Sequence, residues 1–183
     1  MDRLLTVPNF LSILRIILTP LFVWTLFLGE PYVFTSLVIF SAAALTDLFD
    51  GYYARRYAAS SLWGAFLDPI ADKILVCTAL LSFSILGFVP LWAVLIVVAR
   101  DVLITGLRVV KMSGVKPLET SLLAKSKTFL QFIALYLMFF CLLLGQHNQA
   151  VWYLAVAAAA KIMVFCVVVL TVYSGFDYLR GSC

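Results

Sequence analysis

The chain has 183 residues, of which 64% are hydrophobic and 12% charged, with a formal net charge of +4 and a mean hydropathy of +1.10. A soluble domain of this length is about half apolar with roughly twice the charge, so the composition excludes one and implies an integral membrane protein. It also argues against nucleic-acid binding, because no basic face with interleaved aromatic residues exists outside the apolar runs.

At about 20 residues per crossing, six helices and short connections use up the length. Apolar runs predict spans over 10–28, 32–55, 62–86, 90–111, 120–144 and 150–175. Ahead of the first, Val7-Pro8-Asn9-Phe10 suits a helix start lying along the membrane interface, with Trp24 and Tyr32 at the far boundary. That first run is expected to be a span and not a cleaved signal, since Arg15 interrupts it and no small-residue cleavage pattern follows. No Arg/Ser-rich transit peptide precedes it, which points to a bacterial plasma membrane. Gly29-Glu30-Pro31, Arg56 to Ser61, Gly87 to Val89, Met112 to Glu119 and Gly145 to Gln149 form the connections, punctuated by Gly and Pro. The expected fold is all-α, a single polytopic membrane domain over 1–183.

Lys and Arg are absent from the connections after spans one, three and five. The opposite side holds Arg3, Arg55, Arg56, Arg108, Lys111, Lys116, Lys125, Lys127 and Arg180. Positive charge collects on the cytosolic side, so both termini are expected there. Cys77, Cys141, Cys166 and Cys183 show no CxxC pairing and are expected as three reduced core thiols and a tail cysteine. His147, the single histidine, is expected in a solvated loop.

Four acids stand out against this background: Asp47-x2-Asp50-Gly51-x2-Ala54-Arg55-x8-Gly64-x3-Asp68-x3-Asp72. Carboxylates inside apolar runs are costly and call for a compensating charge, and the nearby cations are too few. Asp47 and Asp50 fall near the cytosolic end of span two, and Asp68 and Asp72 near the cytosolic start of span three. Spacings of three and four residues put each pair on one helical face. Four oxygen donors without histidine or thiolate select hard cations, Mg²⁺ or Mn²⁺, with room for two ions. Metal-bound carboxylates at a membrane surface suggest phosphate chemistry. Intramembrane acids also mark ion pairs or cation-transport paths, and that alternative stays open.

Gly51, Ala54 and Gly64 flank the acids, and each fits close helix packing or close approach of a ligand to backbone. Ser60 and Ser61 are helix-cap candidates, and a helix N-terminus attracts phosphate, as does Arg55. Arg100, Arg108, Lys125 and Lys127 approach the cytosolic side from spans four and five and are candidates for binding an acceptor's phosphate. Arg100 lies well inside a span, where pairing with Asp101 or Asp177 is the competing explanation. Lys125 and Lys127 fit equally as interfacial anchors. Lys161 lies in mid-span and is assigned no role.

The stretch from Asp47 to Asp72 resembles the signature of the CDP-alcohol phosphatidyltransferases at every fixed position, including the eight-residue spacer. Family-like order extends over all six spans. Pro8-Asn9-Phe10-Leu11-Ser12 with Arg15, Gly64 to Lys73, Ala99-Arg100-Asp101 and Lys125-Ser126-Lys127-Thr128 resemble the branch that uses glycerol 3-phosphate. Asp101 stands where Glu is expected, and Ala124 where Gly is usual. The resemblance implies transfer of a phosphatidyl group from CDP-diacylglycerol to glycerol 3-phosphate, with CMP released. It implies that Asp47, Asp50, Asp68 and Asp72 ligate metal, with Asp72 also the general base. Gly51, Ala54, Arg55, Ser61 and Gly64 would line the CDP end of the donor, Asn9 and Arg15 are candidate substrate contacts, and a homodimer is implied. The same chemistry on inositol phosphate, serine or another phospholipid is the nearest alternative, and a divalent-cation transporter is a more distant one.

Overall fold

The computed structural model describes the backbone of residues 7–57, 62–111, 122–146 and 150–180, and the side chains of residues 10–46, 70–71, 73–106, 126–145 and 152–175. The described residues form six α-helices: α1 (Val7–Phe27), α2 (Val33–Tyr57), α3 (Leu62–Ile85), α4 (Leu91–Lys111), α5 (Leu122–Gln146) and α6 (Ala150–Arg180). Each falls on an expected apolar run. The largest departure is at α6, which continues through Gly175 to Arg180. In a helix a glycine costs only about 1 kcal/mol relative to alanine, too little to end a 31-residue element. Pro8 lies in the first turn of α1, where its missing N–H has no intrahelical acceptor to lose.

Two turns show why the helices stop where they do. Gly87 follows α3 with φ of 82°, a left-handed conformation open to glycine. Its N–H donates to the Ser84 carbonyl at 3.0 Å, and the Phe88 N–H reaches back to the Phe83 carbonyl at 3.0 Å. This is the paired closure of a Schellman cap, and the Phe83 and Phe88 rings meet edge-to-face at 5.8 Å as its apolar contact. Gly29 (φ 70°) closes α1 similarly, donating to the Leu26 carbonyl at 3.2 Å.

The chain divides into two compact units, residues 1–79 and residues 80–183. In the first, α1 and α2 run antiparallel. Phe22 and Phe40 are both fully buried with ring centroids 5.5 Å apart, and the Ser36 hydroxyl donates to the Phe22 carbonyl at 3.3 Å. In the second, α6 packs against α4 and α5, and Phe83 meets Phe139 edge-to-face at 5.0 Å.

Polarity is inverted relative to a soluble protein. The buried side of α1 carries Ser12, Arg15, Thr19 and Thr25, while Phe10, Ile17, Trp24 and Phe27 are exposed. On α6, Leu154, Ile162, Phe165, Val169 and Val172 make an exposed stripe at helical spacing, with Lys161 among them. Apolar surface this extensive is unstable in water and natural in hydrocarbon. Phe10–Phe27, Ser126–Gly145 and Trp152–Gly175 are each long and apolar enough to cross a membrane, and Val33–Thr46 and Lys73–Ile85 are shorter apolar helical segments. The protein is membrane-integral. One expectation needs correcting: Cys141 is buried and Cys77 partly so, but Cys166 lies on the exposed stripe of α6 and is not a core thiol. His147 and Cys183 lie outside the described residues.

Candidate active site

The four aspartates lie on continuous helix, Asp47 and Asp50 on α2 and Asp68 and Asp72 on α3; their side chains are outside the described residues. Register places them nonetheless. On α2, Val33, Ser36, Phe40 and Ala43 form one stripe, each no more than 4% exposed. Steps of three and four residues carry that stripe directly to Asp47 and Asp50. On α3, Leu75 and Ala79 are buried, and the same stepping backwards reaches Asp72 and Asp68. Both acidic pairs therefore occupy register positions continuous with the buried stripes of α2 and α3.

Depth agrees as well. Asp50 is seven residues from the end of α2 at Tyr57 and Asp68 six from the start of α3 at Leu62, about 10 Å and about 9 Å along the respective axes. Tyr57 and Leu62 are five residues apart in sequence, a reach of no more than about 18 Å. The donor set is all oxygen, which fits a hard divalent cation. Among the described side chains no group of three metal-binding residues occurs.

One other functional candidate in this unit has a described side chain. Arg15 is completely buried on α1, and its Nε–H donates to the Ala43 carbonyl (3.3 Å) and the Thr46 hydroxyl oxygen (3.4 Å) of α2. The side chains of Asn9, Gly51, Ala54, Arg55, Ser61 and Gly64 lie outside the described residues.

The second unit gathers polar side chains from the middle of α4, the first quarter of α5 and the last third of α6. Asp101, 2% exposed, accepts on Oδ1 from Arg100 at 3.2 Å and from the ammonium of Lys127, itself 2% exposed. Arg100 spans further, donating through Nη2 to the Ser174 hydroxyl at 2.9 Å. Gly175 lies beside it, where an added Cβ would stand 3.7 Å from Arg100 Cγ, an ordinary contact. Of the two partners weighed for Arg100, Asp101 is the one observed, while Asp177, Arg108 and Lys125 have side chains outside the described residues. From the sequence, Asp101 stands where Glu is expected and is one of two candidate partners for Arg100; its pairing with Lys127 was not anticipated. The available signal that it bears a partner was an acid set between two apolar runs, Val97-Val98-Ala99 and Val102-Leu103-Ile104, with Arg100 beside it. Thr46 and Ser174 gave no comparable signal, since isolated hydroxyls are common in spans.

The profile described as CDP-alcohol phosphatidyltransferase matches residues 5–173. The chain belongs to the CDP-alcohol phosphatidyltransferase family. Relatives of nearly full overlap include a probable phosphatidylglycerophosphate synthase of Mycobacterium tuberculosis, 37% identical over 98% of this chain and 83% of the relative. A CDP-diacylglycerol--glycerol-3-phosphate 3-phosphatidyltransferase of Rickettsia bellii is 35% identical over 95% of this chain and 93% of its own. The protein of the same description from Shigella flexneri is 35% identical over 96% and 94% respectively. As a member of this transferase family, the chain is an enzyme of phospholipid synthesis.

Proposed function

We propose that this protein transfers the phosphatidyl group of CDP-diacylglycerol to glycerol 3-phosphate, yielding phosphatidylglycerol phosphate and CMP. The observation that carries this reading is the complete family signature with both aspartate pairs in register with protein-facing stripes of α2 and α3. The names of the relatives support the acceptor.

The reaction makes one bond and breaks one. A hydroxyl oxygen of glycerol 3-phosphate attacks the phosphorus bearing diacylglycerol, and the bond from that phosphorus to the CMP oxygen breaks. Asp72 takes the hydroxyl proton. Asp47, Asp50, Asp68 and Asp72 would hold two Mg²⁺ or Mn²⁺ ions, whose positive charge would neutralise the pyrophosphate and the departing CMP. Gly51, Ala54 and Gly64 admit the CDP end close to backbone, while Arg55 and Ser61 bind its phosphates. Arg100, Arg108 and Lys125 hold the acceptor's phosphate, and Lys127 adds its positive charge from a buried position. Lys127, buried against Asp101, also braces Arg100.

The diacylglycerol tails stay in lipid while cytidine and acceptor arrive from water, so the proposed site opens to the cytosol at the inner membrane of a bacterial cell. The positive-charge distribution supports that orientation. The working unit is proposed to be a homodimer.

Purified protein supplied with CDP-diacylglycerol, glycerol 3-phosphate and Mg²⁺ should release CMP, and a chelator should stop it. Release with serine or inositol phosphate in place of glycerol 3-phosphate would reassign the acceptor. Ion flux through proteoliposomes with no CMP release would replace the enzymatic reading with transport.

A further inference from the structure

The candidate lies outside the acidic motif, on a helix that supplies none of the four aspartates. Arg15 is a charged side chain with no exposed surface, inside a span, in a position where a cation requires a specific reason. Its Nε–H is directed at one turn of α2, reaching the carbonyl of Ala43 and the hydroxyl of Thr46. Thr46 donates in turn to that same carbonyl at 2.7 Å, so two donors converge on it. In an α-helix, the carbonyl of Ala43 is also the acceptor for the backbone N–H of Asp47. The turn that Arg15 grips is thus the one that carries the first aspartate of the signature, with Asp50 one turn further on the same stripe.

The base of this arm is fixed as well. The Thr19 hydroxyl donates to the Arg15 carbonyl at 2.8 Å. Phe22 against Phe40 and Ser36 against the Phe22 carbonyl lock α1 to α2 two turns away. Helix α1 is therefore fastened to α2 at two levels, and Arg15 supplies the contact at the turn before Asp47. A metal site of oxygen ligands tolerates little displacement of a carboxylate, and a misplacement of about 1 Å can cost on the order of 100-fold in rate.

We propose that Arg15 is a positioning residue, which fixes the Asp47 turn of α2 so that its carboxylates meet the divalent cations in the geometry the reaction needs. This rests on the phosphatidyl-transfer reading and assigns Arg15 a place behind the site, without contact to substrate.

The experiment compares wild type with Arg15→Met, Arg15→Lys and Thr46→Val in detergent. It measures Mn²⁺ binding to substrate-free protein by electron paramagnetic resonance, together with kcat, both KM values and the Mg²⁺ concentration for half-maximal rate. Arg15→Met should weaken Mn²⁺ binding about 10-fold and lower kcat by on the order of 10- to 100-fold, with both KM values within about twofold. Arg15→Lys, which keeps the cation and a donor, should recover most of both losses. Thr46→Val removes one of the two side-chain donors on the Ala43 carbonyl and should show the same pattern more weakly, which decides the matter if Arg15→Met does not fold. Wild-type Mn²⁺ affinity and kcat in folded Arg15→Met, or in Thr46→Val where Arg15→Met is lost, would overturn the proposal. So would an effect confined to one KM, which would make Arg15 a substrate contact. Absence of CMP release or Mn²⁺ binding by the wild type would instead overturn the underlying reading of function.

Discussion

Removing the carboxylate of Asp101 gives the most direct test of how the second unit is held together. Its Oδ1 serves two cations, and both it and Lys127 are 2% exposed, so neither charge has water to fall back on. Arg100 is 18% exposed and also bonded to Ser174, so its share of the effect is discounted for solvent. The Lys127 half dominates. Taking one partner from a buried ion pair costs about 3–5 kcal/mol, whereas replacing both by apolar groups of similar size is often neutral. Asp101→Leu should therefore lose about 3–5 kcal/mol. Lys127→Met should lose less, because Asp101 keeps Arg100. The double variant Asp101→Leu/Lys127→Met should lie closer to wild type than Asp101→Leu alone. Reversible unfolding in mixed micelles, followed by tryptophan fluorescence, supplies the four stabilities of this cycle. A loss under about 1 kcal/mol for Asp101→Leu, or a double variant no more stable than it, would refute the buried-pair reasoning.

Asp68→Asn and Asp72→Asn should each abolish CMP release while leaving the helical circular-dichroism signal intact, and near-normal turnover in either would remove the role assigned to it. Arg100→Ala should raise the KM for glycerol 3-phosphate far more than that for CDP-diacylglycerol; equal effects on both would make Arg100 structural. Gln131 is 2% exposed and its amide nitrogen finds no hydrogen-bond acceptor among the described residues, so Gln131→Leu should raise stability by about 1 kcal/mol, read from the same unfolding assay.

Hydropathy located all six helices to within a few residues, since the runs are long and Gly29 and Gly87 end α1 and α3 with the left-handed turns that glycine favours. The acidic signature was equally legible, because a carboxylate in an apolar run has few explanations and the spacing of the eight fixed positions narrows them further. Which side of each helix faces protein was harder to read. Helix α2 is apolar nearly all round its first half, so periodicity gives little to separate lipid from neighbour.

Amino-acid order alone determined that this chain lives in a membrane and how many helices it forms, and it singled out the four acids as candidates, because those properties are local and depend on transfer from water to hydrocarbon. Tertiary structure decided the pairing of the buried cations. Arg15 meets residues 28 and 31 positions away, Lys127 meets Asp101 across 26, and Arg100 meets Ser174 across 74. Such partners are chosen by the packing of helices against one another, and each is held because a charge without one cannot remain in the interior.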